Sequence, residues 1–191
     1  MSSVLQGWKH ARLARALSGY EPDDAGHAHD ALGKLACEEA IAASGEGNYG
    51  VGAVLADESG AVLLRARNRA FEPRFASEGH AEMVLVSRLE AERPELDPSR
   101  LTLLVSLEPC PMCYARLKLA GIGKVLYVAA DDGGGMVRRA GHLPPAWTTL
   151  HPWQEFAPAD VGPRLRRMAR AIFRHNLAAM RRRLVARSRP R

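Results

Sequence analysis

Helix and strand signals alternate along most of the chain, and their order constrains the fold more than any other feature. Apolar residues recur at helical spacing in the longer segments, and short apolar runs of strand type lie between them. Helices are expected over 26–44, 81–93, 111–121 and 160–187, and strands over 51–55, 61–66, 101–106 and 125–130. Because strands alternating with helices pair in parallel and are covered on both faces, the sequence predicts an α/β protein, a three-layer α/β/α sandwich with a mixed sheet.

Two segments fall outside this regular order. Residues 1–25 show little periodicity and contain Gly19 and Pro22, which predicts a short helix or arm followed by a loop, ahead of a single domain over 26–187. Residues 131–160 are irregular and rich in glycine and proline, and connections of this length usually carry a function. We therefore expect a loop or lid at 131–160, followed by a basic C-terminal helix over 160–187.

Composition and charge narrow the class of protein. Apolar residues make up 47% of the 191 residues, so most of the chain should fold. No apolar run approaches the roughly 20 residues that span a bilayer, and the N-terminus lacks the apolar core of a secretory signal. A soluble cytoplasmic protein without a membrane partner is expected.

The net charge of +6 would suit a nucleic-acid partner. However, the excess is mostly arginine at the C-terminus, where it fits the solvated side of a helix, and no aromatic residues interleave with it for base stacking. A nucleic-acid partner is therefore not favoured. The apolar side of the same helix is predicted to pack through Leu165, Met168, Ile172, Phe173, Leu177 and Met180.

Three side chains suited to metal binding lie at two predicted helix starts. His80 precedes the helix over 81–93, and Cys110 and Cys113 open the helix over 111–121. The N-terminus of a helix favours the thiolate that zinc requires, and cysteines one helical turn apart can point at one ion. Three protein ligands leave the fourth position of a tetrahedral ion to water, so the spacing predicts a catalytic Zn²⁺ site. A closed structural site would need a fourth cysteine or histidine at short spacing, which this sequence lacks.

Glu82 lies two residues after His80, close enough to reach a metal-bound water without being a ligand. Zinc lowers the pKa of such a water to about 7. A carboxylate beside it can accept the water's proton, pass it to a substrate ring nitrogen and then protonate a departing amine. Glu82 is therefore predicted to be the catalytic acid–base.

The segments His80-Ala81-Glu82 and Pro109-Cys110-Pro111-Met112-Cys113 together resemble the H-x-E and P-C-x-x-C signature of the cytidine deaminase superfamily. The resemblance covers about residues 28–131, and 106–113 is similar to the guanine deaminase and tRNA adenosine deaminase branch. It implies the cytidine deaminase-like fold, a zinc-dependent aminohydrolase and a homodimer. It also implies that Asn68, Glu108 and the backbone N–H of Ala81 face the substrate, although Asn68 could instead be a turn residue bonded to its own backbone.

Three functions remain open from this resemblance. The first is hydrolytic deamination of an exocyclic amino group on a small nucleobase or nucleoside, with a guanine-like purine preferred because of residues 106–113. The second is a tRNA adenosine deaminase, which the basic tail supports, although the usual Asn-Arg-Pro of that branch reads Asn68-Arg69-Ala70 here. The third is a non-catalytic nucleotide-binding module on the same fold. Glu82 argues against the third, because a structural site has no use for that carboxylate.

Overall fold

The computed structural model describes residues 3–22 and 26–187, without the side chains of residues 3–6. The strands are β1 (Gly52–Ala56), β2 (Val62–Arg67), β3 (Thr102–Leu107), β4 (Lys124–Ala129) and β5 (Glu155–Pro158). The helices are α1 (Ser3–Ser18), α2 (Asp30–Gly45), α3 (Ala81–Glu92), α4 (Pro111–Ala120), α5 (Pro145–Thr149) and α6 (Pro163–Arg187), with 3₁₀ turns over Pro98–Arg100 and Val137–His142.

The strands form one mixed sheet in the order β2-β1-β3-β4-β5. β1 pairs antiparallel with β2 and β3, whereas β3, β4 and β5 run parallel to one another. Helices α1, α2 and α6 form one covering layer, and α3 and α4 form the other. Because both faces are covered, the central strands are almost continuously apolar, as in the buried run Leu103, Leu104 and Val105. The predicted three-layer sandwich with a mixed sheet is confirmed.

The N-terminal segment contains a helix, which was one of the two structures predicted for it, but this helix packs on the core instead of lying outside the domain. Residues 3–18 form α1, which packs on α2 and α6, and Leu17 and Tyr20 are buried in the main core. The hydroxyl of Tyr20 donates a hydrogen bond to Asp30 Oδ2 at 2.9 Å, which ties the end of this segment to the start of α2. The described residues before 23 therefore pack on the same core as the rest of the described chain. The remainder of the predicted arm, residues 1–2 and 23–25, lies outside the described residues.

The segment 131–160 is more regular than predicted. It contains the short helix α5 and the edge strand β5, which continues the sheet in parallel beside β4. β5 has four residues and ends at Pro158, a residue tolerated in edge strands, so its sequence carries little strand signal. Within the described part of the chain, no helix is both long enough and apolar enough to cross a membrane.

Candidate zinc site

The three predicted metal ligands converge at the starts of two neighbouring helices. His80 is the N-cap residue of α3, Cys110 is the N-cap residue of α4, and Cys113 lies in the first turn of α4. Nδ1 of His80 lies 3.5 Å from Sγ of Cys110 and 3.4 Å from Sγ of Cys113. The three ligand atoms all lie within 4.8 Å of one another. Among the described residues, no other group of histidine, cysteine or acidic side chains converges in this way.

These distances fit zinc. With Zn–N near 2.0–2.1 Å and Zn–S near 2.3 Å, tetrahedral geometry places ligand nitrogen and sulfur about 3.6 Å apart. The observed separations of 3.4 and 3.5 Å lie close to that value. One imidazole and two thiolates are a donor set that zinc prefers, and three ligands leave one position for water or substrate.

The two cysteines differ in acidity. A hydrogen bond from the Cys113 thiol, supported by His80, lowers the pKa of Cys110 to about 4. The same hydrogen bond together with burial raises the pKa of Cys113 well above its usual value. Without metal, Cys110 is therefore a thiolate at neutral pH, while Cys113 gives up its proton when the metal binds.

Glu82 lies in the first turn of α3 and is 3% exposed. Burial raises its pKa, an effect that the nearby charge of His80 partly opposes. A buried carboxyl group with a raised pKa beside an open metal position is suited to accept and return protons. It is not one of the three converging ligands, so its place agrees with a role in proton transfer rather than coordination.

A cavity of about 240 Å³ opens onto this centre. Its lining includes His80, Glu82 and Cys110, together with Val51 and Leu107 at the ends of central strands. Part of the wall is contributed by four residues of α6, which sequence analysis did not assign to the site: Phe173, Leu177, Arg181 and Leu184. Their spacing places them on one helix face, but it equals the spacing of residues that pack on a core, so the sequence alone did not distinguish the two uses.

Two of the residues expected to face the substrate, Asn68 and Ala81, differ in whether their polar groups already have hydrogen-bond partners within the protein. Asn68 is 2% exposed and lines the cavity; its Oδ1 accepts a hydrogen bond from the backbone N–H of Ala70 at 3.0 Å. Asn68 thus makes the predicted turn contact and is also at the cavity wall. Ala81 is the first residue of α3, where a backbone N–H has no partner within the helix.

Glu108 lines the cavity, but its carboxylate is bonded to the following segment of the chain. The side chain is 0% exposed and accepts hydrogen bonds from the N–H of Asp131 and from both the N–H and Nε of Arg138, at 2.9–3.1 Å. A Cβ atom on Gly135 would collide with this carboxylate. Glu108 therefore anchors residues 131–138 beside the site. The resemblance implied a substrate contact for Glu108 and did not imply this anchoring role.

A histidine and two cysteines at helix starts, an open metal position and a buried glutamate on this sheet define a zinc-dependent deaminase. The model of the cytidine and deoxycytidylate deaminase zinc-binding region matches residues 27–129. The chain belongs to this family. The predicted superfamily, enzyme class and zinc cofactor are thereby confirmed.

Proteins that are similar to this chain in sequence or in fold differ in the substrates that their names state. The chain is 38% identical over 103 residues to the tRNA-specific adenosine deaminase of Bacillus subtilis, a match that covers 53% of this chain and 62% of that protein. It thus spans less than two thirds of that relative's length. A structure from a study of tRNA:A34 deaminases is 30% identical, with a TM-score of 0.61, and covers 74% of this chain and 98% of that chain. The guanine deaminase of Nitrosomonas europaea, 22% identical with a TM-score of 0.61 over 85% of this chain and 91% of that chain, shares the fold.

Proposed function

We propose that this protein removes an exocyclic amino group from a nucleobase ring by hydrolysis and releases it as ammonia. The observation that carries the proposal is the convergence of three zinc ligands beside the buried Glu82. Two of these ligands, His80 and Cys110, line one cavity together with Glu82. A purely structural zinc site needs neither the open position nor the carboxylate.

Each side chain has a defined part in this reaction. Zinc, when bound by His80, Cys110 and Cys113, supplies a Lewis acid that activates water. As the water oxygen bonds to the amine-bearing ring carbon, Glu82 accepts one proton of that water and delivers it to a ring nitrogen of the base. Glu82 then takes the second proton, from the new hydroxyl group, and gives it to the amine nitrogen, so that the C–N bond breaks, the carbonyl forms and ammonia leaves. The backbone N–H of Ala81 and the side chain of Asn68 are proposed to hold the ring by hydrogen bonds.

The preferred substrate is a small nucleobase or nucleoside, with a guanine-like purine first. The cavity of about 240 Å³ lies below the roughly 300–1,000 Å³ that drug-sized ligands occupy, which supports a single ring system at the metal. The resemblance of residues 106–113 to the guanine deaminase branch supports the purine.

A tRNA adenosine deaminase is the second candidate. Its support is the identity of 38% and 30% to tRNA-acting relatives, together with the exposed Arg181 on α6, which lines the cavity. Basic residues of this kind provide phosphate contacts that do not depend on sequence.

We also propose a homodimer, as the family resemblance implies. Met112 and Leu119 on α4 are apolar and exposed. Trp153, which lies next to Gly121 at the end of α4, is 52% exposed. Large exposed apolar side chains close to a functional site are typical of an interaction surface. Light scattering of the zinc-loaded protein should give twice the mass of one chain.

Ammonia release from zinc-loaded protein distinguishes the candidate substrates. The panel is guanine, adenine and cytosine, their nucleosides, and a tRNA anticodon stem-loop, with zinc-loaded Glu82→Gln as the inactive control. Turnover of a base or nucleoside supports the first candidate. Turnover of the stem-loop alone, falling steeply with salt, supports the second. No ammonia from any of them, with one zinc bound per chain, would reject the proposed function.

A further inference from the structure

The part of α6 that lines the cavity contains one cation among apolar residues. Phe173, Leu177, Arg181 and Leu184 follow one another by one helical turn, and Arg181 alone is charged. Phe173 and Leu177 are half-buried, whereas Arg181 is exposed. Arg181 therefore lies at the rim of the cavity, where the wall meets solvent.

Neighbouring arginines of α6 are bound to other parts of the protein. Arg183 donates to the carbonyl of Gly47 and pairs with Glu72 at 2.9 Å, and Arg187 stacks over the ring of Phe75 at 3.7 Å. Within residues 3–22 and 26–187, Arg181 forms no ion pair or hydrogen bond. Its guanidinium, with five N–H donors, is thus available to a ligand.

The guanidinium reaches across the rim to the loop after β4. A Cβ atom placed on Gly133 would lie 3.8 Å from Nη2 of Arg181 and 3.7 Å from Oδ1 of Asp131. The two charged groups lie near the same glycine, but no ion pair joins them. Asp131 Oδ1 instead accepts a hydrogen bond from the N–H of Gly133 at 3.0 Å. The charge of Arg181 also acts inside the cavity. It lowers the pKa of Tyr49 on the wall, although burial raises that pKa by more.

We propose that Arg181 binds a phosphate attached to the nucleoside whose base lies at the metal, so that the site binds a nucleotide more tightly than the same nucleoside without phosphate. The inference rests on the proposed function, because that function places the base at the metal. A cavity of about 240 Å³ filled by the base leaves the phosphate at the rim. There the planar guanidinium can bind two phosphate oxygens at once.

The negative charge of Asp131 determines on which side of the rim a substrate phosphate can bind. Its carboxylate lines the same cavity and repels a phosphate, so the phosphate belongs on the Arg181 side of Gly133. A sugar hydroxyl can donate to Asp131 on the other side. The phosphate comes either from a free mononucleotide or from a nucleotide within RNA, since both present the same group.

Steady-state kinetics with matched substrates test this role. For each of adenosine, guanosine and cytidine, we would compare the nucleoside, its 5′-monophosphate and an RNA stem-loop that presents it unpaired. The variant is Arg181→Gln, and the matched control is Arg182→Gln, the next residue of the same helix, which is exposed and does not line the cavity.

In Arg181→Gln, KM for phosphate-bearing substrates should rise about tenfold to hundredfold more than KM for the nucleoside, with kcat changed little. Arg181→Lys, which keeps the charge, should restore part of this difference, and Arg182→Gln should match wild type throughout. A loss on the mononucleotide identifies the free nucleotide as the source, and a loss confined to the stem-loop identifies RNA.

Equal losses on the nucleoside and its phosphate, no loss at all, or the same loss in Arg182→Gln would overturn the proposal. If wild-type protein deaminates only free bases, the proposed function stands and this inference fails. If it deaminates nothing, calorimetric binding of the same mononucleotides and stem-loop to the zinc-loaded proteins decides. Tighter binding of the phosphate form that depends on Arg181 supports the inference, and equal binding rejects it.

Discussion

Glu82 is the residue at which binding and chemistry can be separated. Glu82→Gln keeps the size of the side chain but removes its capacity to accept and return protons. Zinc content and folding should survive, because Glu82 is not among the converging ligands. Turnover should fall by about 100-fold to 10,000-fold while substrate binding is retained.

Zinc analysis and single-turnover kinetics check this expectation, with the exposed loop residue Glu78→Gln as the control. Near-normal deamination by metal-loaded Glu82→Gln would remove Glu82 from proton transfer. Loss of zinc would instead make it a ligand or a support of the site.

The three cysteines should differ sharply in reactivity. With zinc bound, none should react with iodoacetamide in the native protein. After chelation, Cys110 should be alkylated even at pH 6, because its pKa is lowered to about 4 and its side chain is partly exposed. Cys113 should react more slowly, and Cys37 only after unfolding, because burial raises its pKa to about 12.

Peptide mapping by mass spectrometry after timed alkylation resolves the order. The Cys37→Ala variant is the control, since it should leave the pattern at the metal site unchanged. Fast labelling of Cys37 in the chelated native protein would contradict the buried position given to it.

At the scale of elements, the segment after β4 is held by the hydrogen bonds that it makes to Glu108, the residue after β3. Gly135→Ala should displace residues 131–138, because the new methyl group collides with the fully buried Glu108 carboxylate. We expect a loss of roughly 1–3 kcal/mol, the usual effect of overpacking, together with weaker substrate binding. Gly141→Ala in the same segment is the matched control, since a methyl group there meets no atom within 4 Å.

Denaturant unfolding measures the stabilities, and hydrogen exchange locates the change. Exchange should increase at Asp131 and Arg138, whose backbone N–H groups bond Glu108. Equal stabilities of Gly135→Ala and Gly141→Ala would show that the Glu108 contact does not hold this segment.

The same scale shows how much of the fold the sequence could predict. The elements from α2 to β4 lie within a few residues of their predicted bounds, because each combines an apolar pattern with a glycine or proline near one of its two ends. The sequence does not indicate that α1 belongs to the core, because its apolar pattern extends over little more than the turn from Leu13 to Leu17, and Leu17 and Tyr20 become buried only when the segment packs on the helices α2 and α6. β5 has a sequence pattern too short to indicate a strand without its neighbour β4.

The candidate site likewise contains residues that the sequence could predict and one residue, Arg181, that it could not. His80, Glu82, Cys110 and Cys113 could be predicted because their spacing and chemistry are local. Arg181 could not, since the sequence places it among arginines of a solvated helix face. Only the packing of α6 over the sheet brings it to the cavity.

For the whole molecule, zinc should stabilise the fold in a pH-dependent manner. Binding is linked to folding, so chelation should lower Tm, and Cys110→Ala should lose both the zinc and this response. The apparent zinc affinity should still rise between pH 7 and 9, because the raised pKa of Cys113 leaves a proton to be displaced there. Competition with a chromophoric chelator measures the affinity, and a constant value over that range would contradict the assignment.

The residues of the metal site and the part of the cavity wall contributed by α6 lie in separate parts of the sequence, which has a consequence for how such a protein evolves. The three proposed zinc ligands and the proposed acid–base Glu82 lie within 27–129, whereas the wall contributed by α6 begins after residue 162. Mutations in that helix can therefore alter which molecules are admitted while the catalytic apparatus is inherited intact. Descendants of one ancestor could acquire new substrates through the last helix alone.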